Sequence, residues 1–79
     1  MNKAEKRLHE AQIVAQIYTY TSYQIEDEKN SLKWARENKA ECLKDNPETD
    51  VEYWDNEIEK HLTAIEKLEK IAELLLKQM

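Results

Sequence analysis

A seven-residue repeat runs through residues 51–79, VEYWDNEIEKHLTAIEKLEKIAELLLKQM. Positions without charge recur there at alternating steps of three and four, which is the spacing of the buried stripe of a coiled-coil helix. The members of this stripe are Val51, Trp54, Ile58, His61, Ile65, Leu68, Ala72, Leu75 and Met79. The repeat predicts a helix over about 48–77 that packs one narrow side against another helix.

A less regular stripe precedes it. Its members are Ala4, Leu8, Ala11, Ala15, Tyr18, Ser22, Ile25, Leu32, Ala35 and Leu43. The stretch 17–23, IYTYTSY, contains residue types that favour strands, but an isolated strand pair is only marginally stable. We therefore expect a helix over about 3–44. The polar run 26–31, EDEKNS, contains possible capping residues, so three helices with a break near 27–30 are an alternative.

A single proline separates the two segments. Pro47 cannot continue a helix, and it forces Asn46 into an extended conformation. The second helix begins either with Asn46 as its cap and Pro47 in its first turn, or with a capping box of Thr49 and Glu52. Both options place a turn at 45–49. The chain, residues 1–79, is thus predicted to be one all-α domain, an antiparallel, coiled-coil-like helical hairpin.

The composition excludes several classes of protein. The 79 residues include no glycine and one proline, so a β-sandwich and a glycine-rich nucleotide site are both excluded. One cysteine cannot form a disulfide framework or a cysteine-based zinc site. No apolar run approaches the roughly 20 residues that cross a bilayer, and residues 1–7 do not begin a signal peptide. We expect a cytoplasmic protein without membrane contact, and the composition suits a bacterial or phage accessory protein.

Two helices of these lengths cannot bury all of the apolar side chains. They would be about 63 and 45 Å long and would share one thin line of contact. We therefore expect a homodimer that forms a four-helix bundle. The alternative is a monomeric three-helix bundle. The residues expected in the oligomer seam are Leu8, Tyr18, Ile25, Leu32, Trp54, Ile58, Ile65, Leu68 and Leu75.

No pattern of catalytic or metal-binding residues is present. His9 and His61 each follow a glutamate by four residues, but one hairpin cannot bring the two histidines together, and zinc needs three or four ligands. Cys42 lies near a helix end without an imidazole base nearby in the sequence. We predict no catalytic residue, no cofactor and no metal ligand, and hence no enzyme.

The acidic residues are concentrated in the second half. Residues 45–79 carry ten acidic and four basic side chains, against a net charge of −5 for the whole chain. The helix dipole favours acids in the first turn only, so those further along need another explanation. Tyrosines are common in interfaces because they bury area and keep a polar group. We predict a partner-binding surface made of Asp50, Tyr53, Asp55, Glu57, Glu59, Tyr20 and Tyr23.

These features favour a non-enzymatic protein–protein interaction module: a small adaptor, assembly chaperone or inhibitor. Its partner would be a larger protein with a basic surface. Direct binding to nucleic acid is disfavoured because no basic stripe is present. One alternative is a nucleic-acid mimic that inhibits a DNA- or RNA-binding protein, such as a phage or host-defence nuclease. Another is a metal or small-ligand binder at an oligomer axis.

Overall fold

The computed structural model describes residues 2–78 and contains two helices, α1 (Lys3–Asp45) and α2 (Val51–Gln78). They pack side by side in opposite directions, because Lys39 meets Asp55 near the turn and Glu28 meets His61 further from it. The predicted all-helical hairpin is confirmed. Met79, the last predicted member of the α2 stripe, and Met1 lie outside the described residues.

Helix α1 runs without a break through 27–30, so the three-helix alternative is wrong. Asn2 caps its N-terminus, since the Asn2 side chain accepts a hydrogen bond from the Glu5 N–H. The hydroxyl groups of Thr19, Thr21 and Ser22 each donate to the carbonyl oxygen four residues earlier. In the stretch 17–23, whose residue types favour strands, these three hydroxyl groups therefore find hydrogen-bond acceptors within the helix.

The turn differs from both predicted starts of the second helix. Thr49 N–H donates to the Asn46 carbonyl and Glu48 N–H to the Asn46 side chain, a β-turn with Pro47 in its second position. Asp50 caps α2, since its carboxylate accepts from the Tyr53 N–H at 3.1 Å. Neither Asn46 nor Thr49 is the cap. The helix begins at Val51, three residues later than predicted, because the β-turn uses 46–49.

One line of side chains fills the contact between the helices, and we call it the seam. Leu32, Ala35, Ile65 and Thr21 are buried, and the other members are half-buried. On α2 the seam follows the predicted stripe: Trp54, Ile58, His61, Ile65, Leu68, Ala72 and Leu75. On α1 it comprises Val14, Tyr18, Thr21, Ile25, Glu28, Leu32, Ala35, Lys39 and Cys42.

The α1 stripe was predicted less accurately. Thr21 is in the seam where Ser22 was expected, and Val14 where Ala15 was expected, because a small error in register accumulates along a long helix. Leu8 is 62% exposed. Counting from Glu28 and His61, the end of α2 at Gln78 is level with Ala11, so Leu8 lies about one turn beyond that level.

The hairpin is long and thin, with extents of 66 × 14 × 14 Å. A single seam leaves much apolar surface in solvent. In the described part of the chain, twelve large hydrophobic side chains are exposed.

Candidate interaction surfaces

Five carboxylates form a row on α2. Each belongs to an exposed residue that directly follows a seam residue, so all five lie on the same side of the helix. They are Asp55, Glu59, Glu66, Glu69 and Glu73. We call this row, which is about 27 Å long, the acidic stripe.

Basic residues of α1 lie beside the end of the acidic stripe that is nearest the turn. In an antiparallel pair, residues that follow the seam on either helix lie on the same side of the hairpin. Lys29, Lys33 and Arg36 occupy such positions on α1. The Lys39 ammonium group lies 2.5 Å from the Asp55 carboxylate. The acids nearest the turn are therefore partly neutralised.

The other end of the acidic stripe has no such bases. Taking Glu28 and His61 as level along the hairpin, Glu66, Glu69 and Glu73 lie beside uncharged α1 positions. These positions are Ser22, Thr19 and Ala15. The carboxylates without a basic α1 residue beside them thus lie further from the turn than the acidic residues that the sequence predicted as a site. Sequence analysis missed these three glutamates, although their positions after Ile65, Leu68 and Ala72 could have identified them.

The predicted acidic site residues have different surroundings. Asp50 is the cap of α2, and Asp55 pairs with Lys39. Glu57 is half-buried, with its carboxylate 3.8 Å from Nε2 of His61. Asp55 and Glu59 alone among them belong to the acidic stripe.

The predicted tyrosines are exposed but lie apart from the acidic stripe. Tyr53, Tyr20 and Tyr23 are 53%, 65% and 68% exposed. Tyr20 lies about 24 Å along the hairpin from the level of Tyr53. Tyr53 and Tyr20 each directly precede a seam residue, which places them on the opposite side of the hairpin. The structure does not unite the acidic and aromatic residues in one surface.

Aromatic side chains cluster at the turn end of the hairpin. The rings of Trp34 and Trp54 meet edge to face with centroids 5.8 Å apart, and those of Tyr53 and Trp54 at 5.1 Å. Such contacts stabilise beyond simple burial. Trp54 therefore links Trp34 of one helix with Tyr53 of the other on one side of the hairpin.

His61 is a polar residue in the seam. Its Nδ1–H donates to the Glu28 carboxylate at 2.6 Å, and its side chain is only 14% exposed. Within residues 2–78 no group of three or more His, Cys, Asp or Glu side chains is placed to hold a metal ion. His9 is exposed, and Cys42 is a half-buried free thiol.

A shallow cavity of about 270 Å³ opens between the start of α1 and the end of α2. Its lining residues are Arg7, Glu10, Ala11, Val14 and Gln78. Neither helix, within the described residues, combines the length and the apolar character needed to cross a membrane.

No protein-family model matches the chain, and neither the curated proteins nor the solved structures include one with significant similarity to it.

Proposed function

We propose that this chain is a non-enzymatic protein–protein interaction module that binds a basic surface of a larger protein through the acidic stripe. Adaptor, assembly chaperone and inhibitor are roles of this kind. The observation that carries the proposal is the row of five exposed carboxylates on one side of α2.

Electrostatics make such a row suitable for recognition. Steps of three, four and seven residues put successive carboxylates about 5 to 10 Å apart along a rigid helix. The widest gap lies between Glu59 and Glu66, where Leu62 takes the intervening position. A charged, pre-organised surface speeds encounter with an oppositely charged partner and rejects partners of like charge. Among residues 2–78, Asp55 alone of the acidic stripe has an ion-pair partner within 4 Å, so no described basic group holds the four glutamates.

The non-enzymatic part of the proposal is supported by the shape of the hairpin. The cavity of about 270 Å³ is smaller than the roughly 300–1,000 Å³ of usual ligand sites. The described residues that line it include no histidine, serine or cysteine that could act as a base or nucleophile.

Self-association into a dimeric four-helix bundle is part of the proposal. The exposed apolar side chains on both helices support it, because a second hairpin would remove them from water.

A nucleic-acid mimic is the second candidate. A single strand of duplex DNA carries one charge per 3.4 Å of helix axis, and the acidic stripe has on average one about every 7 Å. The stripe therefore resembles a phosphate row of lower density. If this candidate is right, the captured partner binds DNA or RNA, and added nucleic acid displaces it from the hairpin.

Affinity capture with three baits tests the proposal. The baits are the wild-type chain, Glu69→Lys with Glu73→Lys, and a control, Glu37→Lys with Glu41→Lys. Both variants reverse two exposed carboxylates spaced by four residues, but only the first changes the acidic stripe. We expect one protein to be retained by wild type and control and lost by the stripe variant. If no protein distinguishes the two variants, the acidic stripe is not the binding surface.

A further inference from the structure

Seven of the twelve exposed large hydrophobic side chains share one relation to the seam: each directly precedes a seam residue. On α1 they are Ile13, Ile17, Tyr20 and Trp34, and on α2 they are Tyr53, Ile71 and Leu74. We call these seven residues the apolar face.

Geometry puts all seven on one side of the hairpin. Seen from one end, residue numbers advance clockwise on one helix of an antiparallel pair and anticlockwise on the other. Residues that precede the seam on either helix therefore face the same way. The contacts of Trp54 with both Trp34 and Tyr53 agree with this placement.

The size of this side suits a specific interface. Both helices contribute to this side over the length of α2, about 42 Å, and with a width of 14 Å its area is about 600 Å². Specific interfaces begin at about this area for each partner. The acidic stripe and the bases beside it lie on the other side, so an apolar contact here would not cover them.

The charges between the apolar residues select the partner. Five charged residues also directly precede seam residues and so lie on the same side: Asp27, Glu41, Glu57, Lys60 and Lys67. Asp27 and Lys60, which precede Glu28 and His61, lie near its middle. They lie almost level with each other because Glu28 and His61 are in contact. A second copy turned by 180° about the long axis places its α2 on the α1 of the first. Asp27 of each copy then meets Lys60 of the other.

In the same arrangement, the apolar residues of one copy lie opposite apolar residues of the other. Ile17 is level with the Ile71 region of α2, and Trp34 is level with the Tyr53 region, counting from Glu28 and His61. Rotation about the long axis keeps these levels, so each apolar cluster meets an apolar cluster of the second copy. Rotation about an axis perpendicular to the helices would instead bring Asp27 to Asp27 when the hairpins overlap fully, and like charges oppose association.

We infer that the apolar face binds a second copy of this chain, with the two-fold axis parallel to the hairpin and α1 of each copy on α2 of the other. This inference rests on the proposed self-association and specifies its surface and its geometry.

Light scattering on the full chain tests the surface. Wild type should have a mass of about 19 kDa, twice the chain mass of 9.5 kDa. Ile17→Glu with Ile71→Glu should give the single-chain mass, while circular dichroism shows the helices retained, because these side chains are 45% and 44% exposed in one hairpin. The control, Leu62→Glu with Leu76→Glu, changes exposed leucines that follow the seam and should leave the dimer intact.

Spin labels test the geometry. A label on Lys44→Cys, in a Cys42→Ser background, reports the distance between the two turns. With the axis parallel to the hairpin, the two α1 axes are roughly 14 Å apart, and the labels should lie within about 30 Å. A perpendicular axis puts the turns at opposite ends, with the labels about 45 Å apart or more.

Each contrary result overturns a different statement. A wild-type monomer at all concentrations overturns both the self-association and this interface, and leaves the binding role of the acidic stripe to its own test. A dimer that survives Ile17→Glu with Ile71→Glu overturns the surface but not the self-association. A long label distance overturns the parallel axis.

Discussion

The Nδ1–H of His61 on α2 donates a hydrogen bond of 2.6 Å to the carboxylate of Glu28 on α1, in the middle of an otherwise largely apolar seam. This contact joins residues 33 positions apart. A polar pair in a seam stabilises little compared with apolar packing, but breaking it leaves a polar group without its partner.

The first prediction concerns this pair. Glu28→Ala should lower the free energy of unfolding by about 1–2 kcal/mol, because the His61 imidazole loses its acceptor in a half-buried position. Urea denaturation followed by circular dichroism measures the change. Glu26→Ala, at an exposed position two residues earlier, should change it by less than about 0.5 kcal/mol. Equal effects of the two substitutions would show that the hydrogen bond does not contribute.

The second prediction concerns the start of α2. Asp50→Ala should destabilise the hairpin by about 1 kcal/mol, since the Tyr53 N–H loses the side-chain acceptor that caps the helix. Asp50→Asn should retain most of the stability, because an amide oxygen also caps. Thermal unfolding compares the two variants. A loss of the same size in both would mean that the charge of Asp50, not its hydrogen bond, stabilises the helix.

The third prediction concerns the seam. Ile65 is the most buried side chain of α2, and Ile65→Ala should cost about 2–4 kcal/mol of unfolding free energy. Leu62→Ala, on the exposed flank of the same helix, should cost less than about 1 kcal/mol. Chemical denaturation of both variants at one protein concentration is the measurement. If Leu62 proved as sensitive as Ile65, another helix would have to cover the flank after the seam.

The fourth prediction concerns salt. Binding of the captured partner should weaken as ionic strength rises, mainly through a slower association rate, because screening shortens the reach of the acidic stripe. Surface plasmon resonance at low and high salt measures both rates. Glu69→Lys with Glu73→Lys should reduce the salt dependence as well as the affinity. An association rate that does not respond to salt would argue that apolar contacts carry the recognition.

Sequence reasoning predicted the helices better than the surfaces. The stripe from Trp54 to Leu75 identified the buried side of α2, because residues at alternating steps of three and four lie on one side of a helix. The cap at Asp50 was missed because Asn46, Thr49 and Asp50 are all good capping residues within five positions. Only the turn geometry decides among them.

The unpaired part of the acidic stripe could be located only once the α1 residues beside it were known. Asp55 and Glu59 were found from the local density of acids, but Lys39 and its neighbours on α1 partly offset their charge. The open charge of Glu66 and Glu69 depends on which α1 residues lie beside them. The local sequence does not show which α1 and α2 residues lie side by side. For the same reason, sequence analysis grouped Tyr53 with the acidic residues, although they lie on opposite sides of the hairpin.

The placement of the acidic stripe and the apolar face on opposite sides of one hairpin determines valency. Two hairpins joined along the apolar face would turn their acidic stripes outward, in opposite directions. Such a pair cannot press both rows onto one flat partner, so it gains no avidity on a single surface. It would instead tether two partner molecules, one on each side. Mixing with excess hairpin would then separate those partners again, because each would bind a pair of its own.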